Sequence, residues 1–191
     1  MIRAAIAVLL AATFATPAAA QDFAAGSEAK PWGLYAEAPA RFTATVSDAL
    51  CAVTGDCPAD CGAGRRQMVL MREADGVLVF PMKNAQPVFS GAASELLPFC
   101  GQRVEVDGLL ITDPDLGAEN VYLVQRIRAE GAAEWTAANQ WTKDWQAANP
   151  GATGKGPWFR RDPRINAAID ATGYFGLGLD QDAAILKGLA E

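Results

Sequence analysis

The run Cys57-Pro-Ala-Asp-Cys61-Gly-Ala-Gly-Arg-Arg66 sets two thiols three residues apart, with Arg65 and Arg66 close behind. Such a pair can serve as a redox dithiol, as a soft-metal site, or as two ends of structural disulfides. Reactive pairs usually stand two residues apart at a helix N-terminus, where the positive dipole end lowers the thiol pKa. This pair lies in a Gly-rich loop, although Arg65 and Arg66 could stabilise a thiolate. A copper(I) reading would recruit Met68 and Met71 beside Cys57 and Cys61, since soft ions favour thiolate and thioether. On a strand those methionines are an odd number apart and point to opposite faces, which suits packing better. Cys51 and Cys100 bring the cysteines to four. An even number in an exported chain predicts disulfides, with no metal and no cofactor expected.

Histidine is absent, which excludes Ser-His-Asp and Cys-His catalysis and the c-type haem signature. The chain carries no nucleophile elbow, phosphate loop or dinucleotide fingerprint, and no catalytic residue is assigned. In the loop 113–120, Asp113, Asp115 and Glu119 are hard oxygen ligands, but their spacing is not that of an EF-hand and a solvated turn is expected. The tract Lys155-Gly-Pro-Trp158-Phe-Arg160-Arg161 joins base to aromatic and could receive an acidic partner or an anionic ligand. Trp141 and Trp145, four apart, share a helix face. The candidate ligand or partner residues are therefore Arg65, Arg66, Trp141, Trp145, Trp158, Arg160 and Arg161.

The elements that position these residues begin after a leader. Residues 1–20 hold one Arg, an apolar run from Ala4 to Phe14, and small residues before Gln21, as in a cleaved signal peptide. No twin-arginine pair precedes the run, so export in the unfolded state to the periplasm is expected. Loss of Arg3 leaves 15 basic against 22 acidic residues and a net charge of −7. That sign repels phosphate backbones and anionic lipid, so neither nucleic-acid binding nor membrane insertion is expected.

Residues 21–39 read as an extended lead-in whose Trp32, Leu34 and Tyr35 tuck against the body. From Arg41, Phe42, Ala44 and Val46 alternate with polar residues, the period of a half-buried strand. Two further strands flank Asp75-Gly76, a hairpin signal. A short helix with Ser90 as possible cap ends near Pro98. Strands carrying Val104 and Val106, then Val121 to Arg128, complete the order strand, strand, strand, helix, strand, strand.

That order fits a small five-stranded Greek-key barrel, and over about residues 40–129 the chain resembles bacterial exported OB-fold proteins. The resemblance implies ligand binding on the face of the second and third strands, here Met68–Met71 and Val77–Met82. Four cysteines allow three connectivities. In the proposed barrel Cys51 leaves the first strand and Cys100 precedes the fourth, so Cys51–Cys100 and Cys57–Cys61 are the expected pairs.

Residues 130–191 read as a helical extension. Its first helix carries Trp135, Trp141 and Trp145 and stops at Asn149-Pro150-Gly151. Asp162-Pro163 opens a second helix with an apolar stripe of Ile165, Ala168 and Ile169 and a stop at Gly173. Asp180 or Asp182 caps a third, with Ile185, Leu186 and Leu189 facing inward. The fold class is thus α+β, an OB-like barrel with a Trp-rich helical C-terminal extension. The functional expectation is a periplasmic, non-enzymatic binding or accessory module contacting another exported protein. The alternatives are a small-molecule or oligosaccharide binder and a thiol-redox or copper-handling protein using Cys57 and Cys61.

Overall fold

A computed structural model describes residues 22–84 and 86–190; the leader expected over 1–20 lies outside them. Six strands form one sheet in the order β3-β2-β1-β4-β5-β6. They are β1 (Glu37–Asp48), β2 (Met68–Arg72), β3 (Leu78–Met82), β4 (Arg103–Asp113), β5 (Ala118–Ala129) and β6 (Thr136–Ala137). β3 also pairs in parallel with β5, Phe80 opposite Val121 and Met82 opposite Leu123, which closes the first five strands into the expected OB-like barrel. The helices are α1 (Ala49–Thr54), α2 (Ala93–Leu96) between β3 and β4, α3 (Gln140–Ala148), α4 (Pro163–Thr172) and α5 (Leu179–Leu189).

The period-two pattern of β1 does what it predicts. Phe42, Ala44 and Val46 point into a core shared with Met68, Leu70, Val79, Val104, Val106, Tyr122, Val124 and Ile127. β1 reaches closure by bending: it pairs with β4 from Glu37 to Thr45 and with β2 from Ala44 to Asp48. Burial of each Val or Leu removes apolar surface worth about 1.5–3 kcal/mol. The Tyr122 hydroxyl keeps a partner by donating to the Ala40 carbonyl at 2.8 Å. Burial, reinforced by Asp107, pushes that phenol well above its ordinary pKa. At Gly108, beside a bulge in the β4–β5 ladder, a Cβ would stand 2.1 Å from the Leu123 carbonyl oxygen. Only glycine lets the strands approach so closely there.

The lead-in does not dock as expected. Tyr35 and Trp32 are exposed and only Leu34 is half-buried, and the anchor is Phe23, packed on the barrel core with its ring 5.9 Å from Phe42. Arg72 stacks over Phe23 at 4.3 Å. Buried Asp107 fastens the same segment, accepting from Ser27 Oγ at 2.6 Å, the Glu28 amide at 2.9 Å and Arg126 Nε at 2.9 Å. Phe23 was one apolar residue among small polar ones, and no local period marked it.

Both disulfides pair differently from the expectation: they are Cys51–Cys57 and Cys61–Cys100. Asp48 caps α1 by accepting the Cys51 amide at 2.8 Å, and this short helix ends at Gly55. The chain therefore turns back within six residues and brings Cys57 to Cys51. Cys61, buried, is left to meet Cys100 at the end of the segment that follows α2.

The extension also departs in detail. Trp135 precedes β6, outside any helix, and stacks with Arg128 at 4.4 Å, Arg126 at 4.5 Å and Arg41 at 5.3 Å. Arg41 and Arg128 grip Glu105 through Nε bonds of 2.6 and 2.7 Å. Burial raises the Glu105 pKa, but Arg128 and Arg41 outweigh it and hold it low. α2 starts at Ala93 without a side-chain cap, and Ser90 instead bonds the Pro87 carbonyl. α4 opens and stops as read, with Asp162 accepting the Arg164 amide and Gly173 at its end. Of its stripe, Ile165 and Ile169 are half-buried and Ala168 is exposed. Gly178 stands at the N-cap of α5, while buried Asp182 accepts from the Phe175 and Leu177 amides. Ile185, Leu186 and Leu189 face solvent, not the core, at 39%, 49% and 72% exposure.

Candidate functional site

The cysteine loop holds no dithiol pair. Cys57 and Cys61 belong to different disulfides, and no free cysteine stands among the described residues. Arg66 is committed to its own loop, donating to the Asp56 carboxylate at 2.8 Å and carbonyl at 2.7 Å and lying 3.4 Å from buried Asp48. Arg65, next to Arg66 in the chain, is exposed. In the loop 113–120, Asp113 Oδ1 accepts the Asp115 and Leu116 amides and closes the turn on itself. On the face of β2 and β3, Met71 and Phe80 are exposed while Met68 is buried, as their parity requires.

The tryptophans of the extension form a cluster. Trp158 lies 4.6 Å from Trp141 and 5.7 Å from Trp145. Buried Trp145 donates Nε1 to Asp162 at 3.0 Å, and Arg161 stacks on its ring at 5.3 Å. Asp162 also receives both Nε and Nη2 of Arg164. The Arg164 bonds, against a smaller effect of burial, hold its carboxyl well below the usual range. Asp162 thus ties α3 to the start of α4. Arg160 points away into solvent.

Between this cluster, the lead-in and the end of β3 opens a cleft of about 800 Å³. Its aromatic lining is Trp32 from the lead-in together with Trp158 and Phe159. Glu37 fixes the backbone of Trp32 by accepting three amides, from Trp32 at 3.0 Å, Gly33 at 3.2 Å and Leu34 at 2.9 Å. Burial works to raise the Glu37 pKa, but those amides bring it below its ordinary value. On the floor, buried Glu95 of α2 accepts from Gln86 Nε2 and from the Trp141 amide. Lys83, just past β3, donates to the Val124 carbonyl at 3.0 Å. Burial pulls the Lys83 pKa down, partly offset by Glu95. Asn84, Asn139, Thr142 and Gln146 complete the polar lining.

The cleft lining includes two of the seven sequence candidates, Trp158 and Arg161, and leaves out Arg65, Arg66, Trp141, Trp145 and Arg160. Sequence reasoning missed Trp32, Lys83 and Glu95, which come from three distant segments. One signal was present: Asn139, Thr142 and Gln146 recur at helical spacing beside the Trp141/Trp145 stripe.

A second surface lies on the C-terminal helices. Tyr174, Phe175, Leu177 and Leu179 join Ile185, Leu186 and Leu189 as exposed large apolar side chains within one short stretch. Among the described residues no helix is long and apolar enough to cross a membrane. The fold and these two surfaces are those of an OB-like barrel with a docked helical appendage. No family model, curated protein or solved structure matches this chain.

Proposed function

We propose that the chain is a periplasmic, non-enzymatic accessory module that docks on another exported protein through the apolar face of its C-terminal helices. The observation that carries this reading is the exposure of Ile185, Leu186 and Leu189 beside Tyr174, Phe175, Leu177 and Leu179. Large exposed apolar patches mark interaction sites, and seven such side chains fall within residues 174–189. The acidic charge selects the occupant. It opposes an anionic bilayer and disfavours self-association of like-charged copies, so the fitting partner is a different protein with an apolar groove bordered by basic residues. The signal-peptide pattern supports export, and two disulfides are compatible with an oxidising compartment.

A photo-crosslinking amino acid at Leu186, in the native envelope, tests the reading. The expected result is one discrete heterologous adduct that disappears when Ile185→Glu and Leu189→Glu are added. An adduct only with a second copy of the chain, with lipid, or with nothing would overturn it.

A further inference from the structure

The cleft has chemistry of its own, independent of the C-terminal face. We propose that it binds an acidic oligosaccharide, pyranose rings between Trp32 and Trp158 with a carboxylate directed at Lys83 and Arg161.

A volume of about 800 Å³ falls within the range of about 300–1,000 Å³ of small-ligand sites. Three aromatic rings line it, and Trp32 is 54% exposed with no aromatic partner among the described residues. The negative face of such a ring attracts either a cation or the polarised C–H face of a sugar. A cationic ligand is opposed here, because Lys83 and Arg161 share the walls and the carboxylate of Glu95 already accepts from Gln86 and the Trp141 amide. An anionic group is favoured. Lys83 has one bond to the Val124 carbonyl and three donors in all. Arg161 also lines the cleft, and its buried Nε has no hydrogen-bond partner among the described residues. Charge-assisted bonds from an ammonium or guanidinium to a carboxylate are the strong kind.

The remaining wall separates a sugar from a flat aromatic acid. Asn84, Asn139, Thr142 and Gln146 have no side-chain hydrogen-bond partner among the described residues, while neighbouring Gln140, Asp144, Trp145 and Asn149 are all bonded. Amides and a hydroxyl both donate and accept, which matches vicinal hydroxyls. A flat aromatic acid would use the rings and the cations and leave this row idle.

Titration calorimetry on the mature protein tests this with two acidic probes, trigalacturonate and a hyaluronan tetrasaccharide. The controls are methyl-esterified trigalacturonate, cellotetraose and indole-3-acetate. The expected result is that one acidic probe binds about tenfold or more tighter than every control. Trp32→Ala, at an exposed position, and Lys83→Gln each weaken it about tenfold with unchanged circular dichroism. Lys83→Gln also flattens the salt dependence. The proposal is overturned if neither acidic probe binds, if the ester binds equally, if indole-3-acetate binds best, or if Trp32→Ala has no effect.

Discussion

The barrel and the C-terminal extension solve the same problem by different means. The barrel is held by a closed strand ladder around Phe42, Met68, Leu70 and Tyr122, with Phe23 packed against it and a long-range disulfide across it. The extension buries little beyond Trp145 and relies on two carboxylates, Asp162 and Asp182, that accept N–H groups from loops and an indole. Apolar burial is insensitive to protonation, whereas a carboxylate held low by its partners, as Asp162 is, loses strength as it is protonated. The difference teaches that one region is a fixed scaffold and the other is an adjustable surface attached to it.

The comparison is broken most severely through the disulfides. Replacing Cys61 and Cys100 by Ala opens a closure of 39 residues, and chain-entropy reasoning puts the loss at about 4 kcal/mol. Replacing Cys51 and Cys57, six apart, is expected to cost only about 2 kcal/mol. Denaturant unfolding of both variants checks the order. Equal losses would show that the barrel does not depend on the long-range bridge.

Gly173→Ala acts on the extension alone. Gly173 has φ +87° and ψ 168°, a region nearly restricted to glycine, and a Cβ would stand 2.2 Å from Asp182 Oδ2. A cost of about 2 kcal/mol is expected, seen as lost helicity at 222 nm with the near-ultraviolet signal of Tyr122 and Phe42 intact. Loss of both signals together would mean that the two regions unfold as one.

Acid gives the mildest separation. The Asp162 carboxyl is depressed below its ordinary 3.8 by Arg164. Its contribution is present above that value and is lost as pH falls toward the folded pKa, because protonation then favours the unfolded chain. Glu37 and Glu105, on the barrel's own β1 and β4, follow the same sign from 4.5, but the apolar core of the closed ladder remains when they protonate. Tryptophan fluorescence is therefore expected to shift below about pH 4 while the strand signal in the far ultraviolet persists. A strand signal that falls first would reverse the ranking of the two regions.

Much of the barrel was legible because alternation survives closure. Phe42/Ala44/Val46 and Val104/Val106 could satisfy their period only with one face buried, and Asp75-Gly76 could hardly be other than a turn. The cap at Asp162 and stop at Gly173 were equally local. The site was legible only in part. Trp158 and Arg161 announced themselves as aromatic beside base, but Trp32 and Lys83 join them through tertiary closure that no spacing encodes. The cysteine pairing failed for a related reason: α1 is short enough to return Cys57 to Cys51, and that depends on where Gly55 stops the helix. Ile185, Leu186 and Leu189 were misplaced because an amphipathic pattern shows that a face needs a partner and not which molecule supplies it.

The two disulfides join the cysteines in consecutive pairs, first with second and third with fourth, although Cys57 lies nearer along the chain to Cys61 than to Cys51. A chain emerging N-terminus first into an oxidising compartment meets its thiols in that order. Cys51 can close on Cys57 before Cys61 appears, and Cys61 then waits only for Cys100. Oxidation in order of arrival would yield the native pairs without later reshuffling.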